Sequence, residues 1–184
     1  MAGDTVDASS FWTRRRRRIS YYRRMQRNHS YQWKFIQEFI VEKEINSVLE
    51  IGCGLCPLVR DLVTKYQGVD LNTHADAIHA NFLDLDVQAF VGWDLLLAAN
   101  VIEHAPTGYV PFINQVVKAG CKWAIITFFN GLEWVANSCR NHPFGFPLQV
   151  YSRAKLEEFL RNEGLDYEIR VLTWKDTVLI IRRS

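Results

Sequence analysis

The chain has 184 residues, 48% of them hydrophobic, with a net charge of +2, which suits one domain with its own core rather than a disordered or fibrous protein. No apolar run approaches the ~18–20 residues of a membrane span, so no membrane partner is expected. Cys53, Cys56, Cys121 and Cys139 lack a disulfide-framework spacing and the early arginines precede no apolar signal region, so the expected setting is reducing and cytoplasmic.

The charge is unevenly placed. Residues 1–34 hold nine Lys/Arg against two Asp, and the remainder is net −5. Arg14–Arg18 run unbroken, with Arg23, Arg24 and Arg27 close behind. Such a block repels itself, so residues 1–27 are expected to form a flexible basic arm ahead of a single domain at 28–184. The arm is either a solubilising tail or a phosphate-binding segment. Trp12, Tyr21 and Tyr22 interleave rings with guanidinium groups, as nucleic-acid-binding segments do.

Between Tyr31 and Ile45, Trp33, Ile36 and Ile40 together with Phe35 and Phe39 predict a one-faced helix. Val48–Cys53 then reads as a strand leading through a glycine turn into a helix over 57–66. Gly68–Leu71 reads as a second strand before a helical turn near 74–79, and His79–Leu83 as a third before a turn at 85–90. Trp93–Asn100 and Cys121–Phe128 read as strands around a helix at 107–119. After an irregular stretch, 129–150, Ser152 caps a helix that runs through Glu163 and stops at Gly164. Alternation at Leu165, Tyr167, Ile169 and Val171, a turn at Lys175-Asp176 and a strand at Thr177–Ile181 predict an antiparallel terminal hairpin. Five β–α units followed by a helix and a hairpin describe a doubly wound α/β sandwich.

The glycine turn carries the chemistry. Val48-Leu49-Glu50-Ile51-Gly52-Cys53-Gly54 ends a strand on an acidic residue and two glycines, which supply positive φ and bare backbone for a nucleotide-like ligand. Pro57 suits a first helical turn. Asp70, sixteen residues beyond Gly54, ends the second strand where a carboxylate can accept both hydroxyls of a ribose. Three other chemistries share these residues. A dinucleotide site would want a third glycine where Pro57 stands. Cys53-Gly54-Leu55-Cys56 matches a thioredoxin-like spacing, yet five β–α units exceed that small fold. The cysteines do not make the pairs of a zinc site.

The order of these segments resembles the class I S-adenosylmethionine-dependent methyltransferases. Glu50-Ile51-Gly52-Cys53-Gly54 resembles that family's first motif, Val69-Asp70-Leu71 its second-strand acidic position, and Asn81-Phe82-Leu83-Asp84-Leu85 the segment beside the adenine. Asp94 through Asn100-Val101-Ile102-Glu103-His104 resembles the fourth-strand motif. The likeness covers roughly 46–183. It implies an α/β, mostly parallel seven-stranded sheet of order 3-2-1-4-5-7-6, strand 7 antiparallel, flanked by helices. It also implies S-adenosylmethionine as cofactor. Gly52, Cys53 and Gly54 would hold the methionine end, oriented by Glu50; Asp70 would bind the ribose, Leu71 the adenine face, and Asn81 or the Phe82 backbone the adenine edge. Asn100 would stand beside the methyl group, and His104, of a residue type that titrates near neutrality, would be the general base toward an oxygen or nitrogen nucleophile. Leu55-Cys56-Pro57 departs from the family's third glycine. Asn100, Glu103, His104 and His142 faintly resemble the metal site of small-RNA 3′-terminal 2′-O-methyltransferases, but Asn100 replaces the first ligand and no metal is expected. Phe129–Tyr151, with Asn130, Trp134, His142, Phe144 and Phe146, would roof the acceptor pocket; together with the basic arm this favours RNA over a small molecule as acceptor, with a protein acceptor left open. The alternative is a non-catalytic scaffold or cofactor-binding subunit whose arm grips nucleic acid or a partner.

Overall fold

The computed structural model describes residues 23–24, 27–72, 75–104, 108–128, 140–141, 147–148, 151–173 and 176–183. The N-terminal helix α1 (Ser30–Glu42) is followed by β1 (Ser47–Ile51), β2 (Lys65–Asp70), β3 (Ile78–His79) and β4 (Leu95–Ala99). Helix α2 (Tyr109–Ala119) and β5 (Trp123–Phe128) come next. A two-residue pair, β6 (Arg140–Asn141) with β7 (Pro147–Leu148), precedes α3 (Arg153–Asn162), β8 (Asp166–Thr173) and β9 (Asp176–Arg182).

Seven strands form one sheet in the order β3-β2-β1-β4-β5-β9-β8. β1 pairs in parallel with β2 and β4, and β5 in parallel with β4. β9 runs antiparallel between β5 and β8. With β8 and β9 counted as the sixth and seventh strands of the sheet, this is the expected 3-2-1-4-5-7-6 order with strand 7 antiparallel.

Alternation along the central strands divides the core into two layers. Leu95 and Leu97 of β4 face α1, which buries Ile36, Phe39 and Ile40. Leu96 and Ala98 face α2 and α3, which contribute Phe112, Ile113, Val116, Leu156 and Leu160. α2 ends on Gly120 in the left-handed region, and Gly164 follows α3 in the same conformation. Ser152 stands at the N-cap of α3, but its side chain makes no cap hydrogen bond there, contrary to the sequence expectation.

The helix predicted over 57–66 does not form. A single 3₁₀ turn at Arg60–Leu62 takes its place. The Leu58 N–H is taken by Glu50, and the Asn46 carbonyl accepts from both Thr64 N (3.1 Å) and Lys65 N (2.9 Å), starting β2 early. The few residues between those fixed points leave room for little more than one turn. Tyr66, counted toward the helix, lies in β2 opposite Val48. The helical turn expected near 74–79 is likewise absent at 75–79, where bends lead into β3. The strand expected at His79–Leu83 is the two-residue β3 followed by a 3₁₀ turn at Phe82–Asp84. Of the expected basic arm, Arg23, Arg24 and Arg27 are helical and exposed, while Arg14–Arg18 lie outside the described residues.

Candidate active site

The carboxyl ends of β1, β2, β4 and β5 lie together, and β1 and β4 meet where the order of connection reverses, the place where ligands bind in open α/β sheets. Gly52 leaves β1 with φ +69° and donates its N–H to the Val69 carbonyl at 2.7 Å, and Gly54 has φ +58°. Gly54 N donates to Asp70 Oδ2 at 2.7 Å and Asn72 N to Oδ1 at 2.6 Å. The Asp70 carboxylate is thus fixed by two backbone donors, and its oxygens keep acceptor positions for further hydroxyls. Burial pushes its pKa up, against the pull of those two N–H groups.

Glu50 is wholly buried beneath the turn. It accepts from Leu58 N and, at 2.9 Å, from the Tyr66 hydroxyl. Burial raises its pKa to about 8, a rise that the Tyr66 hydroxyl and the Leu58 and Val59 N–H groups only partly offset. Cys53 is buried, and a Cβ on Gly68 would sit 2.6 Å from its sulfur, so its side chain is core packing and only its backbone faces the turn. Burial likewise lifts its thiol to about 12, which leaves no activated thiolate for redox chemistry.

Asn100 ends β4 with φ +56°. Its N–H donates to Thr127, at the backbone oxygen (3.2 Å) and Oγ1 (3.1 Å). Its Nδ2 donates to Gln32 Oε1 at 3.0 Å, and the Thr127 hydroxyl lies between Gln32 Oε1 and Asn100 Oδ1. Gln32 Nε2 donates in turn to the Phe128 carbonyl. Gln32 is 0% exposed and sits one turn before Ile36 on the buried stripe of α1. Beside it, His29 Nδ1 meets Asp176 Oδ1 at 2.7 Å, both side chains buried. The first turn of α1 is therefore fastened to the carboxyl ends of β4 and β5 and the start of β9. The left-handed turn at Asn100 carries Val101 onto Gly52, where a Cβ would overlap a Val101 methyl. His104 follows in a 3₁₀ turn, its N–H on the Val101 carbonyl, and Tyr151 buttresses that turn by donating to the Ile102 carbonyl at 2.7 Å.

No protein-family model matches the chain, and no curated protein matches its sequence. Solved structures do. DhpI with bound S-adenosylhomocysteine aligns over 97% of this chain and 96% of its own at 16% identity and a TM-score of 0.63. Magnesium protoporphyrin IX methyltransferase from Synechocystis PCC 6803 with bound S-adenosylmethionine aligns over 87% and 82% at 13% identity and a TM-score of 0.61. The small RNA methyltransferase HEN1 aligns over 83% of this chain and 25% of its own at 16% identity and a TM-score of 0.59. The fold is that of the class I S-adenosylmethionine-dependent methyltransferases.

On this methyltransferase fold, the residues singled out from sequence follow the carboxyl ends of successive strands. Glu50, Gly52, Gly54, Asp70 and Leu71 converge at the end of β1 and β2, with Asn100 and His104 across the switch point at the end of β4. Asn81 follows β3, the neighbour of β2: its Oδ1 caps the 3₁₀ turn by accepting from Leu83 N, and its Nδ2 donates to Asp84. Phe82 is buried against Phe112, ring centroids 5.1 Å apart. No cluster of three or more metal-ligating side chains occurs among the described residues. His142 and the other expected pocket residues, Asn130, Trp134, Phe144 and Phe146, lie outside them. No helix among the described residues is long and apolar enough to cross a membrane. Sequence reasoning missed Gln32, Tyr66, Val101 and Thr127. Gln32 had left a signal, since it is a polar residue on an otherwise apolar helical stripe.

Proposed function

We propose that the chain is an S-adenosylmethionine-dependent methyltransferase acting on an oxygen or nitrogen nucleophile of a nucleic acid, RNA first. The observation that carries the cofactor is Asp70: a largely buried carboxylate, held by Gly54 N and Asn72 N beside a glycine turn, with acceptor capacity left for a vicinal diol. The matched structures supply independent support, because two of the three hold S-adenosylmethionine or S-adenosylhomocysteine. When bound, the cofactor supplies an electrophilic methyl group on a sulfonium. The residues of this chain then have separate tasks. Gly52 and Gly54 present backbone to the methionine end, Asp70 accepts from the ribose, and Leu71 covers the base. Glu50 holds the turn from below through Leu58 N, and Asn100 positions the end of β4. His104 takes a proton from the acceptor.

Two things support nucleic acid as the acceptor. The arginine-rich arm joins α1, whose first turn is fastened at the ligand end of the sheet by Gln32 and His29, so Arg23, Arg24 and Arg27 precede the site directly. One matched structure, moreover, is a small RNA methyltransferase. Calorimetric titration with S-adenosylhomocysteine tests the cofactor; no heat with wild type, or undiminished binding by Asp70→Ala, refutes it. Label transfer from radiolabelled S-adenosylmethionine into RNA, protein and small-molecule fractions tests the acceptor, and label confined to protein or small molecules refutes the nucleic-acid assignment.

A scaffold or cofactor-binding subunit is the second reading. It is favoured by one observation: the glycine turn has no α-helix behind it, so no helix N-terminus stands at that turn. On that reading S-adenosylhomocysteine binds, no fraction takes up label, and deleting residues 1–27 abolishes nucleic-acid or partner binding.

A further inference from the structure

The sheet edge opposite β3 offers a surface that the candidate site does not use. Among the described residues β8 pairs only with β9, so from Asp166 to Leu172 its outer edge presents backbone donors and acceptors that no strand among them takes up. Long free edges are commonly blunted by lysines, prolines or central bulges. Here the one irregularity lies at the far end, between Val171 and Thr173. Val171, 58% exposed, stands on this strand. Tyr31, 64% exposed, is one turn before Phe35, whose ring lies 5.5 Å from the Arg170 guanidinium. α1 itself packs over β9 and β8.

We infer that this edge is an isologous interface with a second copy of the chain, β8 running antiparallel to its twin about a two-fold axis at Ile169. Each face of the joined sheet stays continuous only if residues of equal parity stand opposite one another. Charge then selects the register. A centre at Glu168 or Arg170 sets that residue against its own copy. A centre at Tyr167 sets Asp166 against Glu168 twice, and one at Val171 crosses the bulge. A centre at Ile169 sets Glu168 opposite Arg170 twice, with no like charges facing. On the other face the same register pairs Ile169 with its copy and Tyr167 with Val171 twice, which gives the exposed valine an aromatic neighbour.

Within one chain Arg170 already donates from Nε (2.5 Å) and Nη2 (2.9 Å) to Glu168. Both side chains are about half exposed, so this pair adds little in the monomer and is available to join a square of four alternating charges.

Sedimentation equilibrium of the full chain, from low to high micromolar, is expected to show a monomer–dimer equilibrium. Glu168→Arg and Arg170→Glu each place like charges opposite one another twice and should weaken the dimer about tenfold or more. The double variant Glu168→Arg/Arg170→Glu should restore it. Both side chains are exposed, and circular dichroism checks that each variant is folded. A monomer at every concentration overturns the inference. So does a dimer that neither single change weakens, or a double variant weaker than both singles.

Discussion

Gly52 is required by the protein's own packing as much as by any ligand, and a double-mutant cycle with Val101 can separate the causes. In Gly52→Ala the new Cβ meets two costs. At φ +69° an L-residue loses ~1–2 kcal/mol. The methyl also overlaps one Val101 methyl and lies 3.4 and 3.5 Å from the other two side-chain carbons, an overpacking that costs roughly 1–3 kcal/mol. The single variant should therefore lose about 2–5 kcal/mol in urea unfolding. Val101→Ala alone should lose about 1–1.5 kcal/mol, for two partly buried methyls. In the double variant the overlap is gone and only the Cβ contact at 3.5 Å remains, so the loss should fall short of the sum by ~1–3 kcal/mol. Additivity within ~0.5 kcal/mol would show that the loops after β1 and β4 do not interlock, and would remove the link from Asn100 to the glycine turn.

Glu50→Gln removes a carboxyl whose folded-state pKa, about 8, lies above its unfolded value of 4.5 because of burial. Wild type should therefore lose stability relative to the variant from about pH 4.5 up to about pH 8, on the order of several kcal/mol in all, and level off beyond; a constant difference across that range counts against a buried carboxyl. At the opposite end of the sheet, burial raises the Asp94 pKa, but hydrogen bonds from Lys122, Asn46 and Ser47 outweigh it and bring it down to about 2. That stabilisation, ~1–2 kcal/mol after screening, should be present above about pH 4, fade as pH falls toward 2, and be absent from Asp94→Asn in acid-unfolding curves. Gln32→Leu should take the acceptor from Asn100 Nδ2 and the side-chain donor from the Phe128 carbonyl, cost ~2–4 kcal/mol in urea unfolding, and weaken S-adenosylhomocysteine binding in calorimetry; unchanged affinity would detach the N-terminal helix from the site.

The sheet was legible because its signals are local. Period-two alternation at Tyr167, Ile169 and Val171, the largely apolar runs within Trp93–Asn100 and Cys121–Phe128, and the glycine stop at 164 each belong to one segment. The helix expected after the glycine turn was a local pattern overruled from a distance. The Asn46 carbonyl claims the N–H groups of Thr64 and Lys65 that a helix would have used itself. The same reason hides half of the site. Asp70 and Gly54 stand at a spacing that can be read along the chain, whereas Gln32, Asn100 and Thr127 are brought together across separations of 68 and 27 residues. No window along the sequence contains that pairing.

The fastening of α1 also sets an order of events during synthesis. Its buried stripe of Ile36, Phe39 and Ile40 packs in the layer that holds Val178 and Ile180, and His29 meets Asp176, 147 residues further on. β9 is moreover the strand that covers the open edge of β5. Until β9 has been synthesised, an apolar helix face and a buried-type strand edge both stand uncovered on the nascent chain. Completion of the fold therefore waits on its final hairpin, and the chain is most open to aggregation just before that hairpin is made.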